Sequence, residues 1–343
     1  MTYINYMSNS YNGHLCIVFA LEHYNPLNMI RAFGENGINP VYISVKRRYE
    51  VACRSKYISK LHRVDSVEEG YKLLMEEYGN MEKKPYIVFS DDKSVGYFDL
   101  HYDEWKDKFI TYNAGRVGRI NEFMDKYNIQ QLAKKHGFNV LDSYVIGKED
   151  PLPEQLWYPI ITKDISPNSG SWKGDVFVCQ NEEELKESIK KITSPLIMIQ
   201  HFVDKQNEMA LEGYTINRGK DMQIITQMTW KYLIQGYYSP FHNVCMFTDK
   251  EMEHKLQAMF EEIGFEGVFE VEFLIDKDGT FYFMETNFRA SAWNPTCKFA
   301  GMPLDYLWVK GMENGYIDPA DRRVFEPFTS MSEVIDYGKR VEG

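Results

Sequence analysis

The residues best suited to chemistry stand in one stretch, GVFEVEFLIDKDGTFYFMETNFRAS, at positions 267–291. Asp276-Lys277-Asp278-Gly279 is a strong turn signal between two alternating runs, so the stretch folds back as a hairpin. Its first strand carries Glu272. Its second carries Glu285 and Asn287, which share a face because they are two residues apart, and Arg289 lies just beyond. Two carboxylates and a carboxamide beside an arginine make an oxygen-rich cage. Such a cage suits Mg²⁺ held on phosphate groups, and the arginine offers a planar cationic fork to a phosphoryl group in transfer. On spacing alone, a solvated hairpin face with aligned acids fits equally well. The flanks (Val268, Phe269, Val271, Phe273, Leu274, Phe281, Phe283, Met284) are strongly apolar, however. Unpaired acids in such strands are costly, which favours a metal or a cationic partner.

Other segments must position this hairpin. Residues 14–21 (HLCIVFAL) read as a strand buried on both faces. A helix is expected at about 26–36 with a stop at Gly37, then a strand at 40–45, and this strand–helix–strand run is a unit of a parallel sheet. A helix at 67–78 and a strand at 85–89 complete an α/β lobe. A single helix is expected over 121–136, ended by Gly137. Strands at 144–146, 157–162 and 176–179 and a charged helix at 182–192 form a compact α+β unit around a small-residue loop at 166–174 (SPNSGSWKG). Strands at 196–203, 208–214 and 222–229 and a helix at 250–263 precede the hairpin. Residues after about 314 read as a polar surface tail. The expected division is 1–118, 119–198, 199–312 and a tail at 313–343.

The chain has 343 residues, which suits two or three lobes, and a formal charge of −11. That charge disfavours nucleic-acid or anionic-membrane partners. Five well-separated cysteines without a C-x-x-C pair argue against a disulfide framework or a structural zinc site. The N-terminus lacks the basic flank of a secretory signal and no apolar run approaches a membrane span. A cytoplasmic protein is the expected reading. The first strand is not followed by G-x-G-x-x-G, which disfavours a dinucleotide site and with it a nicotinamide dehydrogenase. No G-x-x-x-x-G-K-[ST] loop is present either.

With these residues in view, the sequence resembles the ATP-grasp superfamily. It looks in particular like the carboxylate–amine ligases related to carbamoyl phosphate synthetase halves and to D-aspartate ligase. The resemblance runs from His14 to about Lys310. It implies an α/β plus α+β architecture, in which a pre-ATP-grasp lobe precedes two lobes that clamp ATP. It implies that Glu272, Glu285 and Asn287 hold Mg²⁺ (two ions, with Mn²⁺ as a substitute) and that Arg289 faces the phosphate. Lys126 of Asp125-Lys126 and Lys163 of Tyr158-Pro159-Ile160-Ile161-Thr162-Lys163 match the family's phosphate-contacting lysines. Gln200, His201 and Phe202 occupy the hinge whose main chain reads adenine, and Glu208 matches the ribose-binding acid. The 166–174 loop corresponds to the phosphate lid, with Ser169 and Gly170 approaching the phosphates. His242, Ser291 and Asn294 fall where family members meet the acceptor.

The activity implied is ADP-forming ligation of a carboxylate to an amine, both small molecules and amino acids by analogy, through an acyl phosphate. A homodimer is one arrangement such chains adopt. Each residue also has a plain alternative: a surface lysine for Lys126, an exposed strand residue for Glu208, a structural histidine for His242, an ordinary turn for the 166–174 loop. A non-amine acceptor, a reaction that stops at carboxylate phosphorylation, and a non-catalytic nucleotide-binding module remain open as functions.

Overall fold

The structure is a computed structural model that describes residues 8–46, 50–165, 175–232, 239–333, 336–337 and 341. Three sheets follow one another along the chain. The first contains Ser10–Tyr11 (β1), His14–Leu21 (β2), Val41–Val45 (β3), Lys60–Val64 (β4) and Tyr86–Phe89 (β5). Apart from the antiparallel β1, its strands run parallel: β2 lies between β3 and β5, and β4 pairs with β3. The continuous apolar run of β2 is buried from Leu15 to Ala20, as a strand covered on both faces requires. Its covering helices are Asn25–Glu35 (α1), Val67–Tyr78 (α2) and Asp92–Leu100 (α3), followed by the short Tyr102–Trp105 (α4). Ser66 caps α2 and Asp91 caps α3, each accepting from an amide of the first turn. Phe98 of α3 packs edge-on to Phe19 at 5.2 Å.

The sequence predicts one helix over 121–136, but the structure has two, Arg119–Met124 (α5) and Lys126–Lys135 (α6). Asp125 is extended between them (φ −66°, ψ 119°), and its carboxylate caps α6 through the Asn128 amide. The apolar periodicity runs on through the break, so the capping acid is the only local mark of it. The break also starts α6 at Lys126, whose amide donates to the Ile165 carbonyl at 2.7 Å. Gly137, with φ +82°, ends α6 in the left-handed region that glycine tolerates.

The second sheet holds Ser143–Gly147 (β6), Ile160–Asp164 (β7), Val178–Cys179 (β8) and Leu196–His201 (β9), in the order β6-β9-β7-β8. Glu182–Lys191 (α7) covers one face. Ile146, Ile160, Leu185, Ile197 and Ile199 form a core separate from the rest of the molecule.

The third sheet is antiparallel and ordered β14-β13-β10-β11-β12-β15. Its strands are Lys205–Ile216 (β10), Asp221–Lys231 (β11), Phe241–Cys245 (β12), Gly267–Asp276 (β13), Phe281–Asn287 (β14) and Phe328–Met331 (β15). The expected tail therefore contributes an edge strand, with Phe241 opposite Met331. Four residues between polar segments are too few to show a period in sequence. Lys250–Ile263 (α8) and Leu304–Asn314 (α10) pack on the sheet, while Pro295–Phe299 (α9) follows the hairpin. Phe269 meets Phe260 of α8 at 4.3 Å. Trp308 of α10 reaches the first lobe, with its ring 4.9 Å from that of Tyr112. The first and third sheets thus share one core, in which each fully buried aromatic contributes about 1.5–3 kcal/mol.

Candidate active site

A cleft of about 1530 Å³ opens where the three sheets meet, at the carboxyl ends of the parallel strands β2, β3 and β5. Open α/β sheets bind ligands at such ends. Its floor is one face of the third sheet, and the strand register determines what that face carries. Glu272 lies opposite Ala210 on one side and Glu285 on the other, while Glu270 lies opposite Glu212 and Asn287. Opposed residues share a face. Glu212, Glu270, Glu272, Glu285 and Asn287 therefore gather on one side, and Phe269, Val271 and Phe273 fill the core on the other.

Asn287 binds the hairpin acids together: its Nδ2 donates to Glu270 at 2.9 Å and to Glu272 at 3.0 Å. The Lys126 ammonium lies 3.3 Å from Glu285. Arg289 contacts Glu270 at 3.3 Å and, across the cleft, Asp92 of the first lobe at 3.2 Å. Burial, then the charges of Glu270 and Glu285, drives the Glu272 carboxyl well above the usual carboxylate range. Burial pushes Glu285 up too, but Lys126 and Lys163 outweigh it and hold this carboxyl low. Burial opposes the Arg289 charge, yet Asp92 and Glu270 more than offset it and raise its pKa.

Lys163 projects from β7 and donates to Gln200 at 2.9 Å. Gln200 in turn donates to Gln130, and Gln130 donates to the Met284 carbonyl of the hairpin. Burial, then the neighbouring Lys126 charge, lowers the Lys163 pKa to about 8. Lys126 instead is raised, chiefly by Glu285. Glu208 accepts from Lys205 at 2.9 Å and from the Tyr232 hydroxyl at 2.7 Å.

The structure brings Lys126, Lys163, Glu208, Glu272, Glu285, Asn287, Arg289 and Ser291 to the cleft wall, but not Gln200, His201, Phe202, His242 or Asn294. The Gln200 side chain is fully used between Lys163 and Gln130. The His201 and Phe202 amides donate to the carbonyls of Asp142 and Pro159, which leaves the carbonyls of this segment, not these two amides, as the main-chain groups open to an adenine edge. Asn294 is buried and donates to Asp305 at 2.7 Å. His242 is fully buried, with its ring 3.8 Å from Trp293 and 4.7 Å from Trp230. Burial lowers its pKa to about 4. Ser169, Gly170 and the rest of the 166–174 loop lie outside the described residues. Among the described residues, no group of three or more His, Cys, Asp or Glu side chains is placed to hold a metal ion by itself. The expected cage is thus two opposed carboxylates and a carboxamide.

Three residues of the site escaped the sequence reading. Glu270 carried a signal, since E-V-E puts it on the face of Glu272. Glu212 and Asp92 reach the site only through pairing and tertiary folding.

No family model matches the chain. A D-alanine–D-alanine ligase of Fusobacterium nucleatum is 28% identical over 172 residues, which is 48% of this chain and 55% of that protein. The chain spans about half the length of the curated relatives it matches. Solved structures agree along far more of it. An L-amino acid ligase from Bacillus licheniformis matches 89% of this chain and 77% of its own, with a TM-score of 0.67 at 12% identity. The chain has the ATP-grasp fold. A second ATP-grasp neighbour, the biotin carboxylase domain of a Hydrogenobacter thermophilus 2-oxoglutarate carboxylase, was solved with MgADP and bicarbonate. It matches 92% of this chain and 73% of its own, with a TM-score of 0.68 at 15% identity. In ATP-grasp terms the cleft lies among the first lobe, the small sheet and the acidic face of the large sheet. Among the described residues, no helix is long and apolar enough to cross a membrane, and all five cysteines are free.

Proposed function

We propose that this chain is an ATP- and Mg²⁺-dependent ligase that joins a carboxylate to an amine, with amino acids as the substrate class. The observation that carries the proposal is the opposed pair of carboxyls Glu272 and Glu285, set beside three cations, Lys126, Lys163 and Arg289, in one large cleft. Among the described residues, Glu272 has Asn287 as its one hydrogen-bond partner. Hard oxygen donors with excess charge fit Mg²⁺, which is commonly held by one or two carboxylates together with substrate phosphates. Glu272 and Glu285 would hold the ion with Asn287, and when bound it supplies charge neutralisation at the phosphates.

The chain's own residues do the rest. Lys126 and Lys163 hold phosphate oxygens. Arg289 faces the phosphoryl group as it passes to the carboxylate, and later the oxyanion of the tetrahedral adduct formed by the attacking amine. Glu208 meets the ribose. The small sheet and first lobe screen the acyl phosphate from water, because hydrolysis would waste the ATP. No nucleophilic side chain is needed.

The test is ADP and phosphate release from ATP and Mg²⁺ against a panel of amino acids and small carboxylates, with mass spectrometry of the products. Substrate-dependent ADP with a condensed mass is the expected result. ADP with a thioester or a free acyl phosphate would move the reading to another acceptor. Absence of both turnover and ATP binding would overturn it.

A further inference from the structure

Arg289 is held from two sides of the cleft. Its Nε and one terminal nitrogen lie 3.2 and 3.5 Å from the two carboxylate oxygens of Asp92, and its other terminal nitrogen lies 3.3 Å from Glu270. Glu270 belongs to the same hairpin region as Arg289. Asp92 belongs to the first lobe, 197 positions away in the chain. Both partners of this contact are largely shielded, with side-chain exposures of 17% for Arg289 and 22% for Asp92.

The main chain fixes the same junction. The Ala290 amide, next to Arg289, donates to the Phe89 carbonyl at 3.1 Å, at the end of β5 and just before Asp92. Asp91 locks the corner between them by accepting from the Leu21 amide and from Ser94 at the start of α3. Asp92 has no part in that capping. Among the described residues, Arg289 is its one hydrogen-bond or ion-pair partner. A guanidinium offers five N–H donors in a rigid fork. A two-point contact on one edge fixes its plane and leaves donors on the terminal nitrogens for a ligand.

We propose that Asp92 is the positioning residue for Arg289, through which the first lobe sets where the guanidinium meets the group in transfer. This rests on the ligase reading above. It explains why an acid stands at the mouth of an ATP-grasp cleft where it would otherwise repel phosphate. It also ties binding at the first-lobe end of the cleft to the geometry of the reacting end.

The experiment compares Asp92→Ala, Asp92→Asn and Asp92→Glu with the wild type in kcat, KM for ATP and Tm, and compares crystal structures of wild type and Asp92→Ala grown with Mg²⁺ and a non-hydrolysable ATP analogue. Loss of the clamp should lower kcat about 10- to 100-fold in the Ala and Asn variants, the scale of a misplacement of about 1 Å. KM for ATP should stay within about twofold. Tm should move by no more than about 4 °C, since the cap on Asp91 is untouched. Asp92→Glu should regain part of kcat, and the guanidinium should be displaced in the Ala crystal. A wild-type kcat in Asp92→Ala would overturn the proposal, as would losses in kcat, KM and Tm that move in step and are not rescued by Glu. A wild type with neither turnover nor ATP binding would instead sink the ligase reading. In that case the crystals still decide: an unmoved guanidinium overturns the clamp, and a displaced one supports it.

Discussion

The acidic face of the large sheet and the inner end of the small sheet meet in one cleft, yet their polar groups are in opposite conditions. On the large sheet, the buried Glu270 and the half-buried Glu272 stand side by side with Arg289 and an asparagine to offset them, and both carboxyls are pushed up. On the small sheet, Gln200 is satisfied at both ends, and the His201 and Phe202 amides are already donated. A group whose charge is uncompensated gains most from a ligand, because the ligand relieves a desolvation cost already in place. A group that is fully bonded gains nothing and acts as scaffold. On the proposed reading, the hairpin carries the chemistry and the Gln200 side chain serves to position Lys163.

Variants on the two sides should separate accordingly. Arg289→Ala removes the cation that the proposed mechanism sets at the group in transfer, and should lower kcat on the order of 1000-fold, the scale an arginine contributes in phosphoryl transfer. Glu285→Gln removes the carboxylate opposite Glu272 and should abolish turnover while the protein remains folded by circular dichroism. A folded Gln variant that turns over at the wild-type rate would remove the metal role from the hairpin.

The two lysines sharpen the contrast within the cleft. Lys126 is raised by its contact with Glu285 and stays charged. Lys163 is lowered to about 8, so in the free protein its charge is present below that pH and lost as pH rises through it. Nucleotide affinity should therefore fall as pH rises past about 8, by up to about tenfold per unit where the lysine charge is required. Lys163→Arg, charged throughout, should flatten that limb in calorimetric titrations with ADP and Mg²⁺. A wild-type affinity that is level from pH 7 to 9 would show that Lys163 does not meet the phosphates.

How much of this was legible in sequence follows from the range of the interactions. The hairpin was readable because alternation, a tight turn and the E-x-N spacing are local, and the helices at 67–78 and 250–263 lie where their periodicity places them. The break at Asp125 was hidden because apolar residues keep helical spacing across it. The Asp92–Arg289 contact left no local trace, since it depends on how the first lobe docks on the third sheet. For His242 the sequence leaves a substrate contact and a structural histidine both open, because it gives the residue's identity but not its burial between two tryptophans.

On the scaffold side, Gln200→Met should unpair Lys163 and Gln130 and cost about 1–3 kcal/mol of stability, read by urea unfolding. Stability equal to wild type would mean that the chain from Lys163 to Met284 holds nothing in place.

The smallest change is expected at His242. Among the described residues neither buried ring nitrogen has a hydrogen-bond partner, so His242→Phe should alter stability at pH 7 by no more than about 1 kcal/mol, since replacing an unsatisfied polar group by an apolar one of similar shape is nearly neutral. The two proteins should diverge in acid. The folded pKa is about 4 against 6.5 in a free histidine, so the unfolded chain takes up a proton first as pH falls. Wild-type stability from this group is therefore full above about pH 6.5 and is lost as pH falls to about 4, because the unfolded state binds more protons throughout that window. The Phe variant lacks this loss. Its Tm should fall less steeply than that of the wild type between pH 6.5 and 4, with kcat unchanged at pH 7. Parallel Tm curves would mean that the ring reaches solvent or a partner, and a drop in kcat would return His242 to the acceptor site.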